Sequence, residues 1–547
     1  MECGLVQTAL NGLVEDLREP QRKLKRALND AKENGMSVGD DGSVTYPAAK
    51  GLDGEEVPGG TVRGRAHDLF EERTRPTTPT MPNAGRFEVG VNPKKRLAED
   101  ISAVVLGALD DARRVDDQYV RTLSKLTAER GLKVGNAQWA DARSDRKAVH
   151  KVAGDDYEKG DIPRGKSPEE NVEWWKGLSA DERDAYVSLY PASIGALDGL
   201  PAEVRDSANR VVLQEEQART AEALAKHLDR EPDRYRSVSV KGEAVRVESS
   251  EWREWEEERK RLGELDKGMK AIENRFDQTG MSGLPEAYLL GFDTKNLGHA
   301  IIANGNPDTA DHTAVFVPGT GSRLGDVEKD INRMSDLWRE STREVPGQSV
   351  ATITWIGYDA PQSAIPIVDG DLVPEATFVS YAKEGSSKLT SFMEGLQVSQ
   401  GGPDAGHTTV IGHSYGTTVV GDAAYRKNLA TDDIVAIASP GMLAPHARDL
   451  ATGTDHTWSM AAPLTDDVVP LAGKVARLGG FGFDVPTWNG IPYGIGFNQH
   501  VPSDESFGAN RLATDSKDHS GYWDEDSVSM KNQTYITVGK YGKVENG

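Results

Sequence analysis

The sequence predicts an α/β protein in two parts. An all-α helical region covers residues 1–280, with a flexible linker near 36–95, and a doubly wound, mostly parallel sheet covers 281–547. Three observations lead there. Charge is uneven: about a third of the first 300 residues are charged, against about a fifth of the rest, and dense charge of both signs suits helices with solvated faces. Apolar runs of strand length begin only after residue 280, and they are nearly continuous, as strands buried on both faces are. Helical stretches separate several of those runs, and strand–helix–strand alternation closes as a parallel sheet.

In the first part, Val14 to Ala31 and Leu97 to Leu132 carry apolar residues at three- and four-residue spacing, which predicts two helices. Between them the chain is rich in Gly, Pro, Thr and charge, and TRPTTPTMPNAG has the composition of a linker. Ser167 before Pro168, Glu169 and Glu170 marks a helix start, and Ser179 with Glu182 matches a capping box. Gly195 to Pro201 breaks the chain before a helix ending near Leu228. Ser250 to Phe276 is the most periodic stretch, with Trp255, Leu262, Met269 and Phe276 seven residues apart. Such a stripe packs on a neighbouring helix, on the next domain, or on a second coil.

In the second part, the expected strands are 287–292, 299–305, 313–319, 349–358, 407–414, 433–439, 456–463 and 533–539. Helices are expected near 326–344, 376–398 and 416–428. The first two or three strands have only short connections, which fits an antiparallel edge before the parallel part begins.

Composition removes several functions. The chain has 547 residues, more than one ordinary domain holds. With 87 Asp and Glu against 64 Lys and Arg, its formal charge is −23, which repels phosphate backbones and argues against nucleic acid as a partner. No apolar run reaches the ~20 residues that cross a bilayer, so no transmembrane segment is expected. The N-terminal MECGLVQTALNGLVEDLREP lacks the basic-then-apolar pattern of a Sec signal. Cys3 is the one cysteine, which excludes intrachain disulfides and Cys-rich zinc sites.

The chemistry concentrates at Gly412-His413-Ser414-Tyr415-Gly416. This G-x-S-x-G pattern makes a sharp turn that lifts a serine hydroxyl above a sheet, and its small residues relieve crowding there. Gly35-Met36-Ser37-Val38-Gly39 matches the same pattern, but no expected strand precedes it and no expected helix follows. The second copy follows the strand His407 to Ile411 and opens a helix rich in small side chains, so Ser414 is the candidate nucleophile. A serine needs a base, and the base needs an orienting acid. Asp466 stands just past the strand HTWSMAAP and is the first choice of acid, with Asp467 as the alternative. His519, in a polar loop before the last expected strand, is the candidate base. His500 lies in a Gly- and aromatic-rich segment that reads as pocket or packing. The oxyanion needs two N–H donors: Tyr415, after the nucleophile, and Thr320 in VFVPGTGS, with Gly321 next. Between acid and base, Phe481, Phe483, Trp488, Tyr493 and Phe497 interleave with glycines, as a pocket cover or a packed loop would.

In order, VFVPGTGS, TWIGYDAP, GHSYGTTVVGDAA, ASPGM, SFGANRL and DHSGYW resemble the actinobacterial α/β-hydrolase family known as a domain of unknown function. The resemblance covers roughly 285–540. It implies the α/β-hydrolase fold, and it supports Ser414, His519 and an acid at Asp466. The N-terminal helices resemble the WXG-type modules of type VII secretion substrates, without their Trp-x-Gly turn. The expected activity is therefore serine-dependent hydrolysis of a small-molecule or lipid ester, with no metal or organic cofactor. The alternative is a secreted or surface-associated interaction protein that keeps the hydrolase fold as scaffold and binds a helical partner through its N-terminal region. The expected location is cytoplasmic, or outside the cell by a non-Sec, type VII-like route.

Overall fold

The computed structural model describes residues 2–51, 54–64, 92–126, 136–154, 157–240, 243–364, 374–426, 429–463, 465–484, 487–488, 491–492 and 496–547. The chain forms two compact units, 1–131 with 142–158, and 132–141 with 159–547. The sequence-based boundary near 280 falls inside the second unit.

In the first unit, α1 (Glu2–Glu33) and α2 (Pro93–Leu123) run antiparallel. Lys23 pairs with Asp111 at 2.9 Å, and the Tyr119 hydroxyl donates to Asp16 at 2.9 Å. Both helices bury alanines, which let the backbones approach, beside Ile101 and Val105. The expected linker is partly structured. β1 (Ser37–Val38), β2 (Val44–Tyr46) and β3 (Gly60–Val62) make a small antiparallel sheet, and Val44 packs against Ala31 and Ile101. Strands of two or three residues are too short to show a period in sequence. The stretch TRPTTPTMPNAG lies outside the described residues.

The second unit opens with α3 (Pro168–Gly177) and α4 (Ala180–Leu189). Both start with complete capping boxes, Ser167 with Glu170 and Ser179 with Glu182. α5 (Ala202–Leu228) and α6 (Ser250–Asp277) follow. The sheet then forms from β4 (Ala287–Asp293), β5 (His299–Asn304), β6 (His312–Val317), β7 (Val350–Ile356), β8 (His407–His413), β9 (Asp433–Ile437), β10 (Thr457–Met460) and β11 (Asn510–Arg511). Their spatial order is β11-β10-β9-β8-β6-β7-β5-β4. β4 and β5 are the antiparallel edge, and every pairing from β7 to β11 is parallel.

Alternate residues of each strand feed two cores. Val315 and Val317 of β6 face Leu389 and Phe392 of α8 (Val379–Gln400) and Val419 of α9 (Tyr415–Arg426). Ala314 and Phe316 face Met334 and Leu337 of α7 (Val327–Glu344). Both faces of the sheet are thus covered, which is why its strands read as continuous apolar runs.

The helices before the sheet belong to the same core. Leu265, Met269 and Ile272 of α6 pack on Leu289 and Ile302 of the edge strands. α5 covers the outer edge of β4: Asn209 donates to the Leu289 carbonyl at 2.9 Å, Arg210 donates to the Ala287 carbonyl at 2.8 Å, and Asp206 accepts the Leu289 N–H at 2.7 Å. Backbone groups that would otherwise stand open at a sheet edge are satisfied there. One expectation fails. Residues 533–539 are not a strand: α11 (Val528–Thr537) occupies most of them, started by the Ser527 hydroxyl accepting the Met530 N–H. The cap and the burial of Met530 and Ile536 outweigh the β preference of Tyr-Ile-Thr-Val. Among the described residues, no helix is long and apolar enough to cross a membrane.

At the end of the sheet opposite the Ser414 turn, Asp433 is fully buried and accepts bonds from His407 (2.8 Å), His456 (3.0 Å), Trp458 (2.8 Å) and Tyr541 (2.6 Å). Burial pushes its carboxyl up, but these donors outweigh burial and hold it below its ordinary 3.8. Burial pushes His407 down, but the bond to Asp433 outweighs it and raises the imidazole above 6.5. The His407 contribution is therefore complete below pH 6.5 and is lost as pH rises through the raised value. The Asp433 contribution is complete above pH 3.8 and is lost as pH falls through the lowered value. Asp433→Asn is expected to lower Tm. The gap from the parent in thermal melts should be widest between about pH 3.8 and 6.5 and narrower on either side. A gap independent of pH would contradict this account.

Candidate active site

β6 lies between β7 and β8, so the chain leaves it first to one side and then returns on the other. Such a switch point opens a crevice beyond the carboxyl ends of the strands, where ligands of open α/β sheets bind. The loop after β6 and the turn after β8 meet there. Ser414 occupies the turn with φ of +53°, in the left-handed region that a residue with a Cβ avoids. Its N–H donates to the Ile437 carbonyl at 2.9 Å, and the Thr417 N–H donates to the Ser414 carbonyl at 3.0 Å. The glycines around it are required by crowding. A Cβ at Gly416 would lie 2.1 Å from the Val317 carbonyl oxygen, and one at Gly412 would lie 2.9 Å from the Thr417 Cα. Ser37, in the decoy motif, begins the two-residue β1 of the other unit.

The structure brings together most of the sequence-predicted residues. Thr320, Ser414, Tyr415, Asp466, Asp467 and His519 all line one cavity of about 790 Å³. The acid beside His519, however, is Asp467 and not Asp466. Asp467 is buried and its Oδ2 lies 3.0 Å from His519 Nδ1, whereas Asp466 is exposed at the cavity rim. The reason is local. The N–H groups of both residues donate to the Pro463 carbonyl, at 2.8 and 3.0 Å, in a tight turn that aims adjacent side chains apart. Asp467 turns inward and also accepts from the Val469 N–H at 3.0 Å and the Tyr522 hydroxyl at 3.4 Å. Burial pushes its carboxyl up, but the bonds from His519, Val469 and Tyr522 together hold it below its ordinary 3.8. An ionised carboxylate only accepts, so His519 carries its proton on Nδ1 and leaves the Nε2 lone pair for a substrate or a serine.

The loop after β6 is anchored for a donor role. The Tyr358 hydroxyl donates to the Pro318 carbonyl at 2.9 Å, and the Gly321 N–H donates to the Pro361 carbonyl at 2.8 Å. Gly321 is thereby committed elsewhere, and Thr320 remains as the loop's candidate. Gly319 passes directly over the turn: a Cβ on it would lie 2.7 Å from Ser414 Cβ and 2.8 Å from the Tyr415 nitrogen. Tyr415 is the first residue of α9, where N–H groups have no acceptor within the helix. Its hydroxyl is turned away from the cavity, donating to the Phe378 carbonyl and accepting the Ala382 N–H at 3.3 Å.

The cavity has two unlike walls. One is apolar, from Ala376, Val469, Ala472, Ala476 and Leu478, with α10 (Val469–Val475) along it. The other is charged, from Lys329, Asp330 and Arg333 of α7. Arg333 and Asp330 pair at 3.0 Å, and burial pushes the Asp330 carboxyl up to about 6 despite that cation. His500 lies elsewhere, buried against His446 with Nδ1 3.1 Å from the Pro445 carbonyl. In the segment 479–500, Gly480–Asp484 pairs antiparallel with Gly496–His500. The expected roles of Phe481, Phe483, Trp488 and Phe497 as cover or wall concern side chains outside the described ones, and Tyr493 lies outside the described residues altogether. Among the described residues, no group of three His, Cys, Asp or Glu is placed to hold a metal. Sequence reasoning missed two neighbours of the site, His413 and Tyr522. Both stand inside motifs it had singled out, GHSYG and DHSGYW, and each is one or a few residues from a candidate.

Comparisons with known proteins bear on the fold. Residues 293–477, which include Ser414 and Asp467, match the family model described as alpha/beta hydrolase. The uncharacterized protein Rv2079 of Mycobacterium tuberculosis is 27% identical over 394 residues, which is 69% of this chain and 56% of that one. The chain thus spans little more than half the length of the first relatives it matches. The uncharacterized protein Rv0963c of the same organism is 27% identical over 197 residues, 34% of this chain and 68% of its own. Among solved structures, esterase LipW from Mycobacterium marinum superposes with a TM-score of 0.28 at 10% identity, covering 50% of this chain and 87% of that one. By its sheet, its switch-point turn and its family match, the chain carries an alpha/beta hydrolase domain, preceded by an N-terminal helical region.

Proposed function

We propose that the chain is a serine hydrolase that cleaves carboxylic esters of small molecules or lipids. The observation that carries this reading is the bond between His519 Nδ1 and the buried Asp467, in the cavity that the left-handed Ser414 lines. Ser414 Oγ attacks the ester carbonyl while His519 Nε2 takes its proton. The tetrahedral oxyanion is received by the N–H groups of Tyr415 and Thr320. Collapse expels the alcohol, protonated by the imidazolium, and leaves acyl-Ser414. Water then repeats the sequence and releases the acid. Asp467 holds the His519 tautomer and balances the imidazolium charge. The apolar wall suits the acyl chain, and the α7 wall suits a polar alcohol portion.

The test is labelling of the full chain with a fluorophosphonate, followed by mass analysis of its peptides. The adduct is expected on the peptide holding Ser414 and absent from the one holding Ser37. No adduct, or one at Ser37, would defeat the reading. A panel of p-nitrophenyl esters of increasing acyl length would then rank the substrates.

The oxyanion geometry gives a further expectation. Gly319→Ala places a methyl group within van der Waals overlap of Ser414 and the Tyr415 nitrogen, so the loop must lift. Losing one oxyanion donor costs about 10²–10³ in kcat. The variant should show that loss together with a lowered Tm from the overpacking, measured with one ester at saturation at a temperature where thermal melts show it folded.

A further inference from the structure

We infer that His413, the residue before the nucleophile, is a positioning residue: its Nε2–H holds the main chain of the base, His519, in register with Ser414. The inference rests on the reading of Ser414, His519 and Asp467 as a triad. His413 Nε2 lies 2.8 Å from the His519 carbonyl oxygen. A carbonyl has no proton to give, so the ring nitrogen is the donor and the tautomer is fixed. The two imidazoles sit 4.8 Å apart, centre to centre. Trp523 meets the His413 ring edge-on at 5.0 Å, and Arg333 lies over Trp523 at 4.1 Å, so the ring is wedged as well as bonded. Burial drives its pKa well below 6.5, with the neighbouring His519 and Arg333 acting in the same direction. His413 therefore stays neutral and adds no positive charge beside the base.

The need for such a tie follows from the chain path. His519 stands between β11 and α11, in a stretch without regular structure, and its side chain is about a third exposed. The bond to Asp467 fixes one ring nitrogen, but a ring held at one nitrogen can still swing with its backbone. The bond at the His519 carbonyl fixes the backbone itself. Its donor, His413, is the last residue of β8 and the neighbour of Ser414 in the turn, so nucleophile and base are referred to two consecutive residues of the chain. Displacements near 1 Å in such a pair cost about 10²-fold in rate.

Two substitutions separate this role from packing. His413→Phe keeps the ring volume and loses the donor. His413→Gln restores an N–H at nearly the same distance from the backbone. The expected result is a kcat on a p-nitrophenyl ester lowered about 10- to 100-fold in His413→Phe, with KM within about twofold, and substantially recovered in His413→Gln. Thermal melts of both variants exclude unfolding. A second readout does not depend on turnover: the low-field proton resonance of His519 Nδ1–H, bonded to Asp467, should broaden or vanish in His413→Phe and persist in His413→Gln. That pattern supports the positioning role even if Ser414 takes up no fluorophosphonate, which would sink the hydrolase reading alone. An unchanged resonance in His413→Phe overturns the positioning role, as does a kcat equal to the parent or a His413→Gln variant no better than His413→Phe.

Discussion

Ser414→Ala is expected to abolish fluorophosphonate labelling and to lower ester turnover on the order of 10^6-fold, because the members of such a triad act as a unit. The substitution removes one oxygen from a turn whose shape is set by other atoms. The Ser414 N–H bond to Ile437 and the Thr417 N–H bond to the Ser414 carbonyl use the backbone alone, so both survive. The variant should therefore fold like the parent and bind substrate with similar affinity. Residual turnover near the parent rate in a pure sample would remove Ser414 from the mechanism. Ser37→Ala is the matching control, expected to leave labelling and turnover unchanged.

The second large effect discriminates two neighbouring acids. Asp467→Asn is expected to lower kcat about 10^4-fold, near 5.5 kcal/mol of transition-state stabilisation. The amide can present an N–H to His519 Nδ1, which favours the tautomer with the proton on Nε2 and so blocks the base. In that orientation it also withdraws the acceptor from the Tyr522 hydroxyl, whereas the flipped orientation would set the amide N–H against the Val469 N–H. Asp466→Asn, by contrast, alters an exposed rim carboxylate and should change kcat less than twofold. The comparison is made on one ester at saturation, with melts of both variants. A large loss in Asp466→Asn and a small one in Asp467→Asn would reverse the assignment.

That pair of residues shows where the sequence was legible and where it stopped being so. The continuous apolar strands and the helix-opening context of GHSYG identified the sheet and chose Ser414 over Ser37, because burial on both faces and the strand-to-helix turn leave their mark in residue type. The choice between Asp466 and Asp467 leaves none. It depends on how the 463–467 turn bonds to Pro463 and on contacts with Tyr522 and Val469. The same limit explains the segment 533–539, where strand-forming residues were overruled by the Ser527 cap and by burial on α11. It explains β1 to β3 and β11 as well, strands of two or three residues whose pairing is decided by the partner rather than by their own pattern. The charge-rich helices were read as a separate front, yet Asp206, Asn209 and Arg210 show their polar residues doing the work of a missing strand at the β4 edge.

The left-handed backbone of Ser414 has a consequence for how such a protein persists. A residue with a Cβ held at that φ costs about 1–2 kcal/mol relative to a conformation it would choose freely, and glycine alone escapes most of that cost. Stability by itself would favour glycine at position 414. The serine is therefore a point where the fold is weaker than its own sequence space allows, and selection for durability would remove the hydroxyl first. Serine at that position, clamped between Gly412, Gly416 and Gly319, stores backbone strain at the turn that lines the cavity, and strain of that kind clusters at functional sites.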